Sequence, residues 1–379
     1  MPLPAFLDHF SDLPDPRVER GKHHSLLSLL TIAFCAVLCG AEGWEDMTTF
    51  GQARQDWLQT HLGLDLPFGI PSPDTFRRVF SRLDPEAFGT CFRAWVQTLR
   101  RKSKGEVIAL DGKVVRHSFD TAFGQTALHL VSAWASENRL VLGAVSTEDK
   151  SNEITAFPRL LRLLDITGCI VTIDAMGCQK TIASQIIGQK GDYVLALKGN
   201  HTHLAEDVER FFERAEAHKF ADLSVRACET GEKDHGRIET RRCVVITLAE
   251  NDLFFGDVQA EWAGLRSLVR IESVRQIGEK STTERRYFLS SLTGSAKRVL
   301  RAVRSHWGIE KALHHVLDVS LNEDACRIRR DHAAENMAGL RHVALNLLRQ
   351  DTTHKRGIKA RQKQAGWDET YLLKVLTNN

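Results

Sequence analysis

Through the first hundred positions apolar residues recur at helical spacing. Leu26, Leu29, Leu30, Ala33, Phe34, Val37 and Leu38 align along a stripe and predict a buried helix within the apolar stretch 26–41. Residues 47–62 predict a second helix. Pro67, Pro71 and Pro73 mark a loop, with Ser72 or Asp74 placed to cap a helix carrying Phe76, Val79, Phe80 and Leu83. Asp84-Pro85 ends that helix, and residues 88–99 predict another. The polar run 100–106 reads as a domain boundary.

Beyond it the pattern changes to apolar runs of strand length. A strand is predicted over 107–110, ending at Asp111. Two more follow at 127–135 and 140–146, then a helix at 153–164. A strand at 169–173 ends at Asp174, a helix covers 179–187, and a strand covers 193–197. Such an order predicts a mixed α/β sheet. A charged helix at 203–218 leads into a β-dominated stretch, 224–292, and helical spacing returns over 295–349. The resulting division is a helical region at 1–100 and an α/β core built from 105–200 and 293–350. An insertion, 201–292 and mostly β, interrupts that core, and a basic tail spans 351–379. Within the tail, 351–366 is polar and is expected to be loosely ordered.

A hydrophobic fraction of 42% supports a sizeable core and excludes global disorder. Net charge is only +3, but between residues 297 and 363 stand 15 Lys and Arg against seven Asp and Glu. That local surplus suits a polyanion such as DNA. The stretch 26–41 is shorter than the roughly 20 residues a bilayer requires, and no targeting signal is visible, so a cytoplasmic location without membrane is expected. The eight cysteines form no C-x₂-C pair, which fits a reducing compartment and argues against structural zinc. No glycine-rich phosphate cradle points to an NTPase.

Asp111 and Asp174 each close an apolar strand, in VIALDGK and IVTIDAMG. Ligands of α/β sheets bind at such strand ends. A carboxylate there costs stability unless a cation or donor satisfies it. Two of them suggest a shared hard cation such as Mg²⁺. A third carboxylate completes such a site. Glu310 lies on a predicted helix beside the stripe Ile309, Leu313, Val316 and Leu317; Asp318, Glu323 and Asp324 are its competitors. Trp307 neighbours Ile309 and is expected in the core, and adjacent His314 and His315 should face different ways.

Together, IALDGK, VTIDAMGCQ and SHWGIEKALHHVLDVSLNEDACRIR resemble bacterial insertion-sequence transposases. The likeness is to the H-repeat-associated group of the RNase H-like DDE superfamily. GIPSPDTFRRVFSRLDPEAF, NEITAFPRLL, YVLALKGNH, HGRIETRR and RYFLSSL match it in order, so the resemblance covers most of the chain. It implies an RNase H-like core behind a helical transposase-associated domain. It also implies a triad of Asp111, Asp174 and Glu310 holding two Mg²⁺ ions, with Mn²⁺ as a substitute, to cleave element ends and transfer strands to target DNA. A homodimer is the expected active form, since two element ends must be paired. Many relatives carry Tyr, Arg and Lys seven before, four before and seven after the Glu; here those positions are Val303, His306 and Leu317. Arg304, His306 and Lys311 are the candidates for replacing that charge. Contacts to double-stranded DNA are expected from Lys198, Arg237, Arg241, Arg242, Arg327, Arg329 and Arg330, and end recognition from the helices around Arg77 and Arg78, with affinity falling steeply as salt rises. The alternatives are an inactive relative that only binds DNA and a metal-dependent nuclease without strand transfer.

Overall fold

The structure is a computed structural model that describes residues 4–19, 22–120, 124, 126–147, 153–234, 236–353 and 355–377. Asn152 and His235, which head two of the matched motifs, lie outside the described residues. A 3-10 turn, Ala5–Phe10, precedes five helices: α1 (Leu26–Leu38), α2 (Trp44–Ala53), α3 (Gln55–Leu62), α4 (Pro73–Arg82) and α5 (Pro85–Leu99). The single helix expected at 47–62 is thus two, broken at Arg54. Ser72 and Asp84 cap α4 and α5, each with proline in the first turn, where its missing N–H costs nothing. Nearly every residue of α1 is buried, as its lack of a polar face requires.

The sheet begins with β1 (Val107–Val114), β2 (His129–Ala135) and β3 (Leu140–Thr147). It continues through α6 (Glu153–Arg162), β4 (Ile170–Ile173), α7 (Lys180–Gly188) and β5 (Asp192–Leu197). Next come α8 (Thr202–Ala217), β6 (Ser224–Asp234), β7 (Arg237–Thr247), α9 (Gly256–Glu261), β8 (Ser267–Ile277) and β9 (Lys280–Ser290). Strand order is β3-β2-β1-β4-β5-β9-β8-β7-β6. β1 pairs parallel with β4 and β4 with β5; the remaining pairings are antiparallel. The inserted strands therefore extend the same mixed sheet through β9 against β5, as an RNase H-like core with an appended antiparallel wing.

Helix α10 (Ala296–Ile309) packs across β1 and passes through a π turn, Glu310–His314, into α11 (His315–Ser320). Helix α12 (Ala333–Gln350) is buried along most of its length and packs on α1, α4, α5 and β3. Two buried amides fix it there. Asn336 donates to the carbonyls of Phe80 and Leu83 at 2.8 and 2.9 Å. Asn346 exchanges two bonds of 2.9 Å with the backbone of Val141. The N-terminal helices and the sheet thus share one hydrophobic core.

The polar run 100–106 is pinned in place, with Arg100 donating at 3.0 and 2.8 Å to the buried carboxylate of Glu106. One expectation needs correction. The tail is ordered as α13 (Ile358–Trp367) and α14 (Glu369–Thr377). Tyr371, Leu372, Val375 and Leu376 fall on one helical face and are buried, while the Gln362 amide bonds to the Val37 carbonyl at 3.1 Å. Counting charges hid that short apolar face.

Candidate active site

The last parallel pair between β1 and β4 is Leu110 with Ile173, so the next residues on each strand, Asp111 and Asp174, are neighbours. β1 does not end at Asp111; it runs on to Val114, paired only with β2. Asp111 marks the point where the strand loses one partner, which opens space beside it. Its Oδ1 accepts from the Gly112 N–H at 2.9 Å. Asp174 caps the turn Ala175–Gly177, accepting from the Met176 N–H at 3.1 Å. The third carboxylate, Glu310, is exposed where α10 opens into its π turn. Such turns break the i→i+4 ladder and recur at functional sites.

Burial pushes the Asp111 carboxyl up to about 7, with the charges of Asp174, Glu310 and Glu153 adding to the effect. Burial also raises Asp174, again helped by Glu153. Among the described residues neither Asp174 nor Glu310 forms an ion pair, and the one imidazole near Asp111 is His314, whose Nδ1 lies 3.5 Å from Oδ2. Burial pushes His314 itself down to about 4, so it stays neutral and offsets no charge. Among the described residues no three His, Cys, Asp or Glu side chains converge closely enough to hold a metal ion as they stand. Like-charged carboxylates repel; a divalent cation is what would draw them together, and an all-oxygen donor set suits a hard one.

Sequence reasoning missed a fourth carboxylate, Glu153, because a charged residue opening a helix carries no signal of its own. It is buried at the start of α6, and its Oε1 lies 2.5 Å from His129 Nε2 on β2. Both press against the backbone of Gly112: a Cβ there would sit 2.2 Å from Glu153 Oε1 and 2.7 Å from His129 Nε2. Gly112→Ala is therefore expected to destabilise the fold by about 1–3 kcal/mol, since neither buried group can retreat cheaply. Chemical denaturation checks this, and an unchanged midpoint would show that the pair is not wedged there. The late competitors are placed differently. Asp318, Glu323 and Asp324 all pair with Lys113, and only Glu310 acts on Asp111 without a basic partner among the described residues.

Comparison with known proteins settles the family. The description "Transposase DDE domain" matches residues 102–347, and "DDE_Tnp_1-associated" matches residues 7–96. The chain belongs to the DDE transposase family. It is 42% identical to "Putative transposase YncI" of Escherichia coli O157:H7, over all of this chain and 96% of that one. It is 40% identical to "H repeat-associated putative transposase YhhI" of Escherichia coli K12, over all of this chain and 99% of that one. A third relative, "Inactive transposase YbfQ" of the same strain, is 40% identical but covers only 22% of this chain. Transposases of this family generally use divalent metal ions and act on DNA.

In this transposase the expected DNA-facing cations fall into two sets. Arg241 is held by Glu232 and Glu239 at 3.0 and 2.6 Å, Arg237 lies 3.6 Å from Glu239, and Arg304 also pairs with Glu232. Arg77 pairs with Asp74 at 2.5 Å, and Arg78 donates to the Asp74 carbonyl at 3.2 Å. Arg330 lies 3.6 Å from Asp331, while Arg329 stacks 4.9 Å over Phe119. Lys198, at the exposed end of β5, and Arg242, Lys311 and Arg327 are exposed and form no ion pair among the described residues. His306 adds no charge: burial pushes its imidazole down to about 4, and its Nδ1 lies 3.2 Å from Thr172 Oγ1. Trp307 is not in the core. It is 39% exposed under the Arg286 guanidinium, 4.6 Å away, because α10 turns that face toward the β7–β9 wing rather than the sheet centre. It lines a groove of about 490 Å³ that runs from Glu310 and Lys311 past Arg304 to Arg241 and Arg286. Among the described residues no helix is long and apolar enough to cross a membrane.

Proposed function

We propose that the chain cleaves DNA at the ends of its insertion sequence and transfers the freed 3′ ends to target DNA. In this reading Asp111, Asp174 and Glu310 hold Mg²⁺, or Mn²⁺ in its place, with two ions expected. The observation that carries it is the adjacency of two carboxylates at the β1–β4 junction, both raised by burial, with Glu310 close enough to act on Asp111 and, among the described residues, no Lys or Arg salt bridge to any of them. Bound there, divalent cations supply Lewis-acid stabilisation of the scissile phosphate and a nucleophile at neutral pH.

The chain's own contribution is positioning. The paired backbones of β1 and β4 fix two carboxylates on rigid strands, and α10 delivers the third across them. Unpaired Lys198 sits at the end of β5, beside β4, where it can hold a phosphate near Asp174. The groove beneath the β7–β9 wing leads away from Glu310 and gives the DNA a path. Arg237, Arg241 and Arg304 enter phosphate contacts only by exchanging their carboxylate partners. Pairing of two element ends makes a homodimer the active form.

Strand transfer separates this reading from a plain nuclease. Protein, Mg²⁺ and a labelled DNA carrying one element end are mixed with a circular target plasmid. Labelled end joined covalently to plasmid is the expected product. Cleaved end without joined product would assign a nuclease instead, and binding without either would assign an inactive DNA-binding relative.

A further inference from the structure

Lys113 stands two residues along β1 from Asp111, and strand alternation puts both side chains on one face. Its Nζ lies 2.5 Å from Asp318 Oδ1, 2.7 Å from Glu323 Oε2 and 3.2 Å from Asp324 Oδ1. The lysine side chain is 10% exposed and that of Glu323 only 1%. Asp318 belongs to α11, which continues without a break from the π turn opened by Glu310. Glu323 and Asp324 follow in the next loop. That loop is closed on itself by the Glu323 N–H donating to the Leu317 carbonyl at 3.0 Å, and is held from behind by Arg341 Nε on the Leu321 carbonyl at 3.2 Å. Arg116, further along from β1, lies 3.3 Å from Asp324 Oδ2. One ammonium on the strand of Asp111 thus gathers both ends of the segment that follows Glu310.

Apolar packing by Leu313 and Leu317 stabilises this segment but tolerates sliding. A buried cation among three carboxylates does not, because displacement leaves charge unpaired in a low dielectric. We propose that Lys113 is a positioning residue for the reaction: it fixes the segment bearing Glu310 against the strand bearing Asp111, and so sets how the two carboxylates meet a divalent cation. The role rests on the assignment of Asp111, Asp174 and Glu310 as the metal ligands.

The test compares Lys113→Arg, Lys113→Met and the double variant Lys113→Met/Glu323→Gln with wild type and Asp111→Asn. The double variant removes the buried anion together with its cation, so it folds even where Lys113→Met does not. Mn²⁺ binding to each protein–DNA complex is read by electron paramagnetic resonance of free Mn²⁺, and amide hydrogen exchange is read over residues 310–324. The double variant is expected to bind Mn²⁺ about 10–100-fold more weakly, the usual effect of removing a group that orients a ligand. It should also exchange faster over 310–324, while Lys113→Arg keeps most of the affinity. A folded double variant with wild-type Mn²⁺ affinity and exchange would show that Lys113 only neutralises Glu323, and the proposal would fall. Wild type that binds no Mn²⁺, or Asp111→Asn that binds it unchanged, would overturn the ligand assignment itself and this role with it.

Discussion

Asp174→Asn is expected to lower the single-turnover rate of end cleavage by about a thousandfold or more, leaving DNA binding nearly unchanged. A metal site stabilises developing charge by several kcal/mol, and each ~1.4 kcal/mol is a tenfold change in rate, so losing a ligand costs about three decades. The substitution is mild for the fold. Asn keeps the Oδ1 that accepts from the Met176 N–H and caps the turn after β4. Asp324→Asn is the matched control. Asp324 is the same residue type and comes from the same motif-rich stretch as Glu310, yet it pairs with Lys113 and Arg116. Its replacement should cost far less than that of Asp174. Quenched-flow cleavage of an end-labelled element end under excess protein checks both, and equal losses would mean that the two acids had been assigned to the wrong roles.

Asp111→Asn should abolish cleavage in the same way and yet make the metal-free protein more stable at neutral pH. Burial, with Asp174 and Glu310 adding, raises the Asp111 carboxyl from 3.8 to about 7. The folded state therefore holds this proton more tightly than the unfolded chain. The site's contribution to stability is fully present below about pH 4 and is lost as pH rises through about 7. About three units at ~1.4 kcal/mol each bound the cost of ionising Asp111 at roughly 4 kcal/mol, and a gain on the order of 2 kcal/mol from Asn is the realistic expectation. Thermal unfolding without divalent metal at pH 5 and pH 8 checks the sign: the variant's advantage should be larger at pH 8. Adding Mg²⁺ should narrow it by stabilising wild type alone. An advantage that is absent at pH 8, or larger at pH 5, would remove the electrostatic frustration on which the metal reading depends.

What the sequence made legible follows from how each residue signals itself. Asp111 and Asp174 stood out because each closes an apolar run, and an acid there has few other uses. The pairing of Leu110 with Ile173 then places them side by side. Glu310 was one of four late acids, and only the ordered motifs singled it out; its π turn leaves no trace in periodicity. Lys113 carried no signal of its own because its partners lie about 200 residues away. Glu153 and His129 gave no warning either, since their proximity depends on how α6 crosses β2. The wing strands were only partly visible because β6 exposes most positions on both faces. α14 was overlooked since its apolar face spans only two turns. Trp307 was misplaced by its neighbour Ile309: on a helix, residues two apart face different ways, and only Ile309 points inward.

The most direct test of the central claim is Mg²⁺-dependent cleavage and joining of a plasmid bearing the element's flanking inverted repeats. Wild type is compared with Asp111→Asn, Asp174→Asn and Glu310→Gln, and DNA binding of all four is measured beside it. Wild type should cut and join, and each variant should bind the repeats but do neither, in Mg²⁺ or Mn²⁺. Wild-type cleavage by any one of the three variants, or a wild type that binds and never cuts, would contradict it.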